Sequence, residues 1–254
     1  MAKALMHCFA RSGGTLLNRC FVAMPNTIVM SEVNPLGGGG GPNALYNIQL
    51  QAKEWYGIDI QSNDFFESVK QMDLFCEKAK KNLIIRDWSF VNFVPCAHNK
   101  YNPPCSIQTI KLSTDMGFTS FAFVRNAIDV WLSMKYSPKK FFDPSLLHLY
   151  EFIKELKNKK VMMFKYEDFC SNPDIVMKKI CAYLHMKYSD NYKNYNNEWR
   201  VNGDVVYKNT SRGILAGSIL LLSRREITAD IANFIKKHTY AKNINDILGY
   251  NFDI

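Results

Sequence analysis

The chain has 254 residues, 22% of them charged and 47% hydrophobic, and a formal net charge of +9. That length suits one domain with a large core, and the balance of apolar and charged residues excludes a disordered chain. No run of about 18 apolar residues is present to cross a bilayer, and the basic residues fall in short dispersed clusters such as Lys78, Lys80 and Lys81 rather than in the array of a nucleic-acid binder.

The opening residues MAKALMHCFARSGG turn polar too soon for a signal peptide, and a cytoplasmic location is expected. Residues 4–9 read instead as a first strand, after which Leu16, Leu17, Cys20, Phe21 and Met24 recur at helical spacing up to Pro25. TIVMS (27–31) reads as a second strand. Gly37–Gly41 followed by Pro42 must be a loop, either a surface connection or the rim of a site. Helical patterns over 43–56 and 64–80 lead to a third strand, NLIIRD (82–87). Residues 106–112 and 119–124 read as further strands, followed by helices over 127–136 and 144–158. A strand over 160–165 and helices over 173–185 and 226–238 complete the chain. Strands alternating with helices predict βαβ units in a single domain, 1–254, of α/β class: a mainly parallel sheet with helices on both faces. Ligands of such sheets sit beyond the carboxyl ends of the strands.

Seven cysteines, with no CxxC pair, read as reduced and mostly buried thiols. The five histidines show no metal-binding spacing, so no metal site is expected.

The stretch FARSGGTLL places Arg11, Ser12, Gly13, Gly14 and Thr15 between the first strand and the first helix. A helix start has unpaired N–H groups and a positive dipole end, glycines let the backbone approach an anion, and the arginine and hydroxyls add donors. The bland alternative is a serine-capped helix behind a glycine-softened turn. Two familiar phosphate loops do not fit. The GxxxxGK pattern lacks its first glycine and its lysine, and GxGxxG is absent. Arg125 ends the strand TSFAFV, and Ser133 follows eight residues later in a helix. Each has an ordinary structural explanation taken singly; as a pair they could grip a second phosphate.

Together these segments carry a resemblance. FARSGGTLL resembles the 5′-phosphosulfate loop of sulfotransferases that use 3′-phosphoadenosine 5′-phosphosulfate (PAPS), often PRSGTTLL. FVRNAIDVWLSM resembles their 3′-phosphate motif, and FKYEDFCSNPDIVMKKICAYLHM (164–186) their Tyr-Glu-Asp-Leu segment and the helix after it. VMSEVNPLG and Arg86-Asp87-Trp88 look most like bacterial small-molecule members. The departures are Ala10 for the usual proline, Gly14 for a common threonine, which would loosen the loop, and Asn126-Ala127 for Asp/Asn-Pro.

The resemblance implies a P-loop-NTPase-like fold and metal-independent sulfuryl transfer from PAPS to a small-molecule or saccharide acceptor, leaving adenosine 3′,5′-bisphosphate (PAP). It implies no nucleic-acid or membrane partner. Arg11, Ser12, Gly13, Gly14, Thr15 and Leu16 would hold the 5′-phosphosulfate, with Arg11 where cytosolic members have lysine. Arg125 and Ser133 would hold the 3′-phosphate, and Ser211, Arg212 and Gly213 would close over it. The histidine base of cytosolic members is missing at Arg86-Asp87-Trp88. Other branches use a glutamate after the second strand, which is Glu32 here. Glu32 is therefore the first candidate for the base, with an ion pair as its structural alternative, and Asp87 is the second. Two rival readings are a divergent nucleotide or small-molecule kinase, which would need magnesium-dependent ATP binding, and a non-catalytic basic protein binding RNA or another anionic partner.

Overall fold

In the computed structural model, which describes residues 1–37, 47–95, 102–136, 146–202 and 218–252, apolar runs become five strands. These are β1 (Lys3–His7), β2 (Thr27–Val33), β3 (Asn82–Asp87), β4 (Thr119–Val124) and β5 (Met162–Lys165). Their order is β2-β3-β1-β4-β5, and every pairing is parallel. The expected α/β class holds, and the sheet is wholly parallel among the described residues. Strands covered on both faces read as continuous hydrophobic runs, as in LII (83–85) and FAFV (121–124). Leu5, Met6, Ile84, Ile85, Phe121 and Phe123 are all fully buried.

Ten α-helices are described: α1 (Gly14–Ala23), α2 (Ile48–Tyr56), α3 (Phe65–Lys78), α4 (Lys111–Met116), α5 (Ala127–Lys135), α6 (Leu146–Asn158), α7 (Tyr166–Ser171), α8 (Pro173–Tyr183), α9 (Ala229–Lys237) and α10 (Thr239–Leu248). One face of the sheet packs on α1, α7 and α8 through Met6, Ile84, Phe121 and Phe123. On the other, Leu5, Met30 and Ile85 meet α2 and α3, while Ala122 and Val124 meet α5 and α6. Strand alternation therefore sends His7 and Asp87 to the α2/α3 face and Arg86 to the α1 face.

Two expectations change. Residues 106–112 form a short 3₁₀ turn (Gln108–Ile110) running into α4, not a strand. This segment belongs to the crossover from β3, past β1, to β4, where the sheet has no slot for another strand. Its burial alternates only at Ile107 and Thr109 and is broken by Leu112, and the Ile107 N–H donates to Glu155 Oε1 on α6 (3.0 Å). The helix expected over 226–238 is α9, capped by Thr228, and α10 follows directly. Among the described residues no helix is long and apolar enough to cross a membrane, and no group of three metal-ligating side chains occurs.

Of the described cysteines, Cys8, Cys20, Cys76, Cys170 and Cys181 are buried and unbridged, and Cys105 is exposed. Burial pushes the Cys170 and Cys181 thiols up to about 11, so both stay protonated and unreactive near neutral pH. Alkylation of the native protein, mapped by mass spectrometry, is expected to label Cys105 well ahead of these five. Early labelling of Cys8 would contradict its packing under the loop described next.

Candidate active site

β1 ends at His7, and six residues later Gly13 becomes the N-cap of α1 in the left-handed conformation (φ 87°). No side chain caps this helix, so the serine-capped alternative is not what forms. The N–H groups of the first turn lack a side-chain acceptor, as an anion site requires. Both glycines are demanded by close packing. A Cβ on Gly13 would overlap Tyr166 Cδ2 and lie 2.8 Å from its Cε2. One on Gly14 would overlap Cys8 Sγ and lie 3.1 Å from Arg86 Nη2. The second glycine thus tightens the loop, contrary to the sequence expectation.

The tips of β1 and β4 meet. Arg11, itself left-handed (φ 69°), donates from Nε to Ser133 Oγ on α5 (3.0 Å). Arg125, just past β4, donates from Nη1 to the Arg11 carbonyl (3.3 Å). Its guanidinium lies 4.6 Å from the centroid of the Tyr166 ring, and its Nε lies 3.9 Å from Glu167 Oε1. Arg125 Nε is buried with no hydrogen-bond partner among the described residues. Glu167 also accepts from Asn126 N–H (3.1 Å) and from the Tyr250 hydroxyl. The Tyr-Glu-Asp segment therefore braces the arginine from below. The Arg11 loop, Arg125 and Ser133 form one contiguous basic site beyond the strand ends.

The third tip is β2. Its register with β3 shifts between Met30 and Val33, and within that bulge Glu32 adopts φ 54°. A bulge at a strand end re-aims a side chain. Here the Glu32 carboxylate meets Arg86 Nη2 at 2.7 Å, with side-chain exposures of 14% and 5%. Arg86 Nη2 also lies 3.4 Å from Thr15 Oγ1, and its Nη1 lies 3.5 Å from Ser31 Oγ and from the Asn202 carbonyl. One guanidinium thus joins the glycine loop, the bulge and the chain at Asn202. The ion pair foreseen as the alternative for Glu32 does form, through Oε1; Oε2 accepts no hydrogen bond among the described residues.

Asp87, the second candidate for the base, is buried, and its oxygens are met by Asn34 Nδ2 (2.8 Å), Ser89 Oγ (2.6 Å) and His7 Nδ1 (3.2 Å). A carboxylate with those partners ties together the tips of β1, β2 and β3, whereas Glu32 stands partly exposed. Ser211, Arg212 and Gly213 lie outside the described residues, as does most of the Gly37–Gly41 loop. Sequence reasoning missed Arg86, although its signal was visible: an arginine closing the apolar strand NLIIRD must be buried with partners.

No family model and no curated relative matches the sequence. Solved structures do match in shape. The sulfotransferase domain of the Synechococcus PCC 7002 olefin synthase superposes with a TM-score of 0.62 at 14% identity, over 99% of this chain and 95% of that one. The sulfotransferase domain from the curacin biosynthetic pathway gives 0.52 at 12%, over 100% and 99%. A mouse sulfotransferase complexed with PAP gives 0.50 at 11%, over 96% and 88%. At these identities the likeness concerns the fold alone: the chain has the α/β fold of these sulfotransferase domains.

Proposed function

We propose that this protein is a PAPS-dependent sulfotransferase acting on a hydroxyl or amine of a small-molecule or saccharide acceptor in the cytoplasm. The observation that carries the reading is the meeting of the two strand tips: Arg11 reaches Ser133, and Arg125 reaches the Arg11 carbonyl. One basic site so built suits a ligand with anionic groups at two separated points, which a 5′-phosphosulfate and a 3′-phosphate supply. The missing loop lysine speaks against a kinase.

In this reading Arg11 to Leu16 hold the 5′-phosphosulfate, and Arg125 and Ser133 hold the 3′-phosphate. The acceptor heteroatom attacks sulfur in line with the bond to the phosphate oxygen. A new bond to sulfur forms, that S–O bond breaks, and its electrons go to the phosphate. Loop N–H groups with Arg11 and Arg86 stabilise the charge gathering there. Glu32 takes the acceptor's proton through Oε2, while Arg86 fixes the carboxylate through Oε1.

Thermal unfolding in the presence of PAP tests the reading. At 100 times the dissociation constant, PAP should stabilise the protein by about 2.7 kcal/mol, and ATP with magnesium should do less. Arg125→Ala should weaken PAP about 10- to 100-fold, the worth of one charge-assisted hydrogen bond, and leave 5′-AMP nearly unaffected. Equal weakening of both nucleotides would remove Arg125 from the 3′-phosphate site, and no shift with PAP would remove the proposal.

A further inference from the structure

Among the described residues β2 is an edge strand of the sheet, and an edge leaves backbone N–H and C=O groups without a strand partner. At Ser31, one residue before Glu32, a side chain fills that role. Gln51 on α2 is fully buried. Its Oε1 accepts from the Ser31 N–H at 2.7 Å, and its Nε2 donates to the Ser31 carbonyl at 2.7 Å. The carboxamide imitates a neighbouring strand for a single residue. Asn202 adds a second grip: its Nδ2 donates to the Ser31 carbonyl and its N–H to Ser31 Oγ, each at 3.0 Å.

A glutamate in the left-handed region persists only where its surroundings hold it. Downstream, Val33 is in register with Asp87, and Asn34 is tied to the Asp87 carboxylate. Upstream, the hold is the Gln51 clamp. We propose that Gln51 is a positioning residue for sulfuryl transfer: by gripping both backbone groups of Ser31 it fixes the β2 bulge and so aims the Glu32 carboxylate. This rests on the reading of Glu32 as the proton acceptor. Gln51 touches no substrate; its effect passes through Glu32.

A double-mutant cycle tests this, with release of sulfate from PAPS to water as the reaction. Gln51→Leu should lower kcat by about tenfold or more, with KM for PAPS within about twofold and the PAP thermal shift retained. In a Glu32→Gln background the same substitution should cost less than about twofold, because the group it positions is already gone. An equal loss in both backgrounds would make Gln51 merely structural and overturn the proposal, as would an unchanged kcat. If Gln51→Leu fails to fold, Asn202→Ala removes one grip and leaves the other. It should show a smaller loss with the same dependence on Glu32, and an equal loss in both backgrounds again overturns the proposal. Wild-type turnover by Glu32→Gln by itself would end the reading of Glu32 and the role of Gln51 with it.

Discussion

Replacing Gly13 by alanine is expected to abolish PAP-induced stabilisation and to lower the stability of the protein itself. Two costs combine. Alanine held at φ 87° loses about 1–2 kcal/mol relative to a right-handed conformation. Its methyl would also overlap Tyr166, and overpacking of this kind costs about 1–3 kcal/mol. The second cost reaches the ligand site, because the Tyr166 ring is the platform 4.6 Å beneath Arg125. A shift of that ring disturbs the anion loop and the 3′-phosphate arginine together. Gly57 supplies the control: it is left-handed too (φ 67°), but nothing lies within 4 Å of a Cβ there. Gly57→Ala should lower the urea midpoint modestly and keep the full response to PAP. If Gly13→Ala behaved like Gly57→Ala, the close approach of Tyr166 to the loop would be refuted.

The second large effect concerns Glu32. Its substitution by glutamine preserves shape and removes the proton-accepting charge. Positioned bases contribute about 10²- to 10⁴-fold, and sulfate transfer should fall by that much while the PAP thermal shift persists. Some loss of stability should accompany it, because Arg86 is then left buried without its carboxylate. Transfer at the wild-type rate would show that Glu32 serves Arg86 alone.

The backbone of the fold was legible where physics leaves one solution. Short apolar runs closed by a polar or charged residue read as strands and became the parallel sheet, and the distance from Arg11 to Arg125 in sequence is bridged because β1 and β4 are neighbours. The segment SIQTIKL misled because its Ile and Thr residues imitate strand composition, whereas its place in the crossover decided its shape. Glu32 could be picked out as a charge at a strand tip, but not its bulge, which depends on Gln51 and Asn202 from distant parts of the chain. Asp87 stands in the sequence as a second strand-tip carboxylate, without any sign of its side-chain contacts: His7 and Asn34 reach it from distant segments and Ser89 from two residues on. Polar partners such as His7 and Asn34, far apart in the chain, have no periodicity to read.

The sheet order has a consequence for biosynthesis. β1 is made before the other described strands yet lies in the middle, and its first partner in translation is β3, with Lys3 in register with Leu83. At about 5–20 residues per second, this apolar segment waits several seconds for its neighbour, and longer for β4. A nascent chain stalled before residue 82 would therefore expose β1 to chaperones and to aggregation, while one released after residue 124 could close the centre of the sheet.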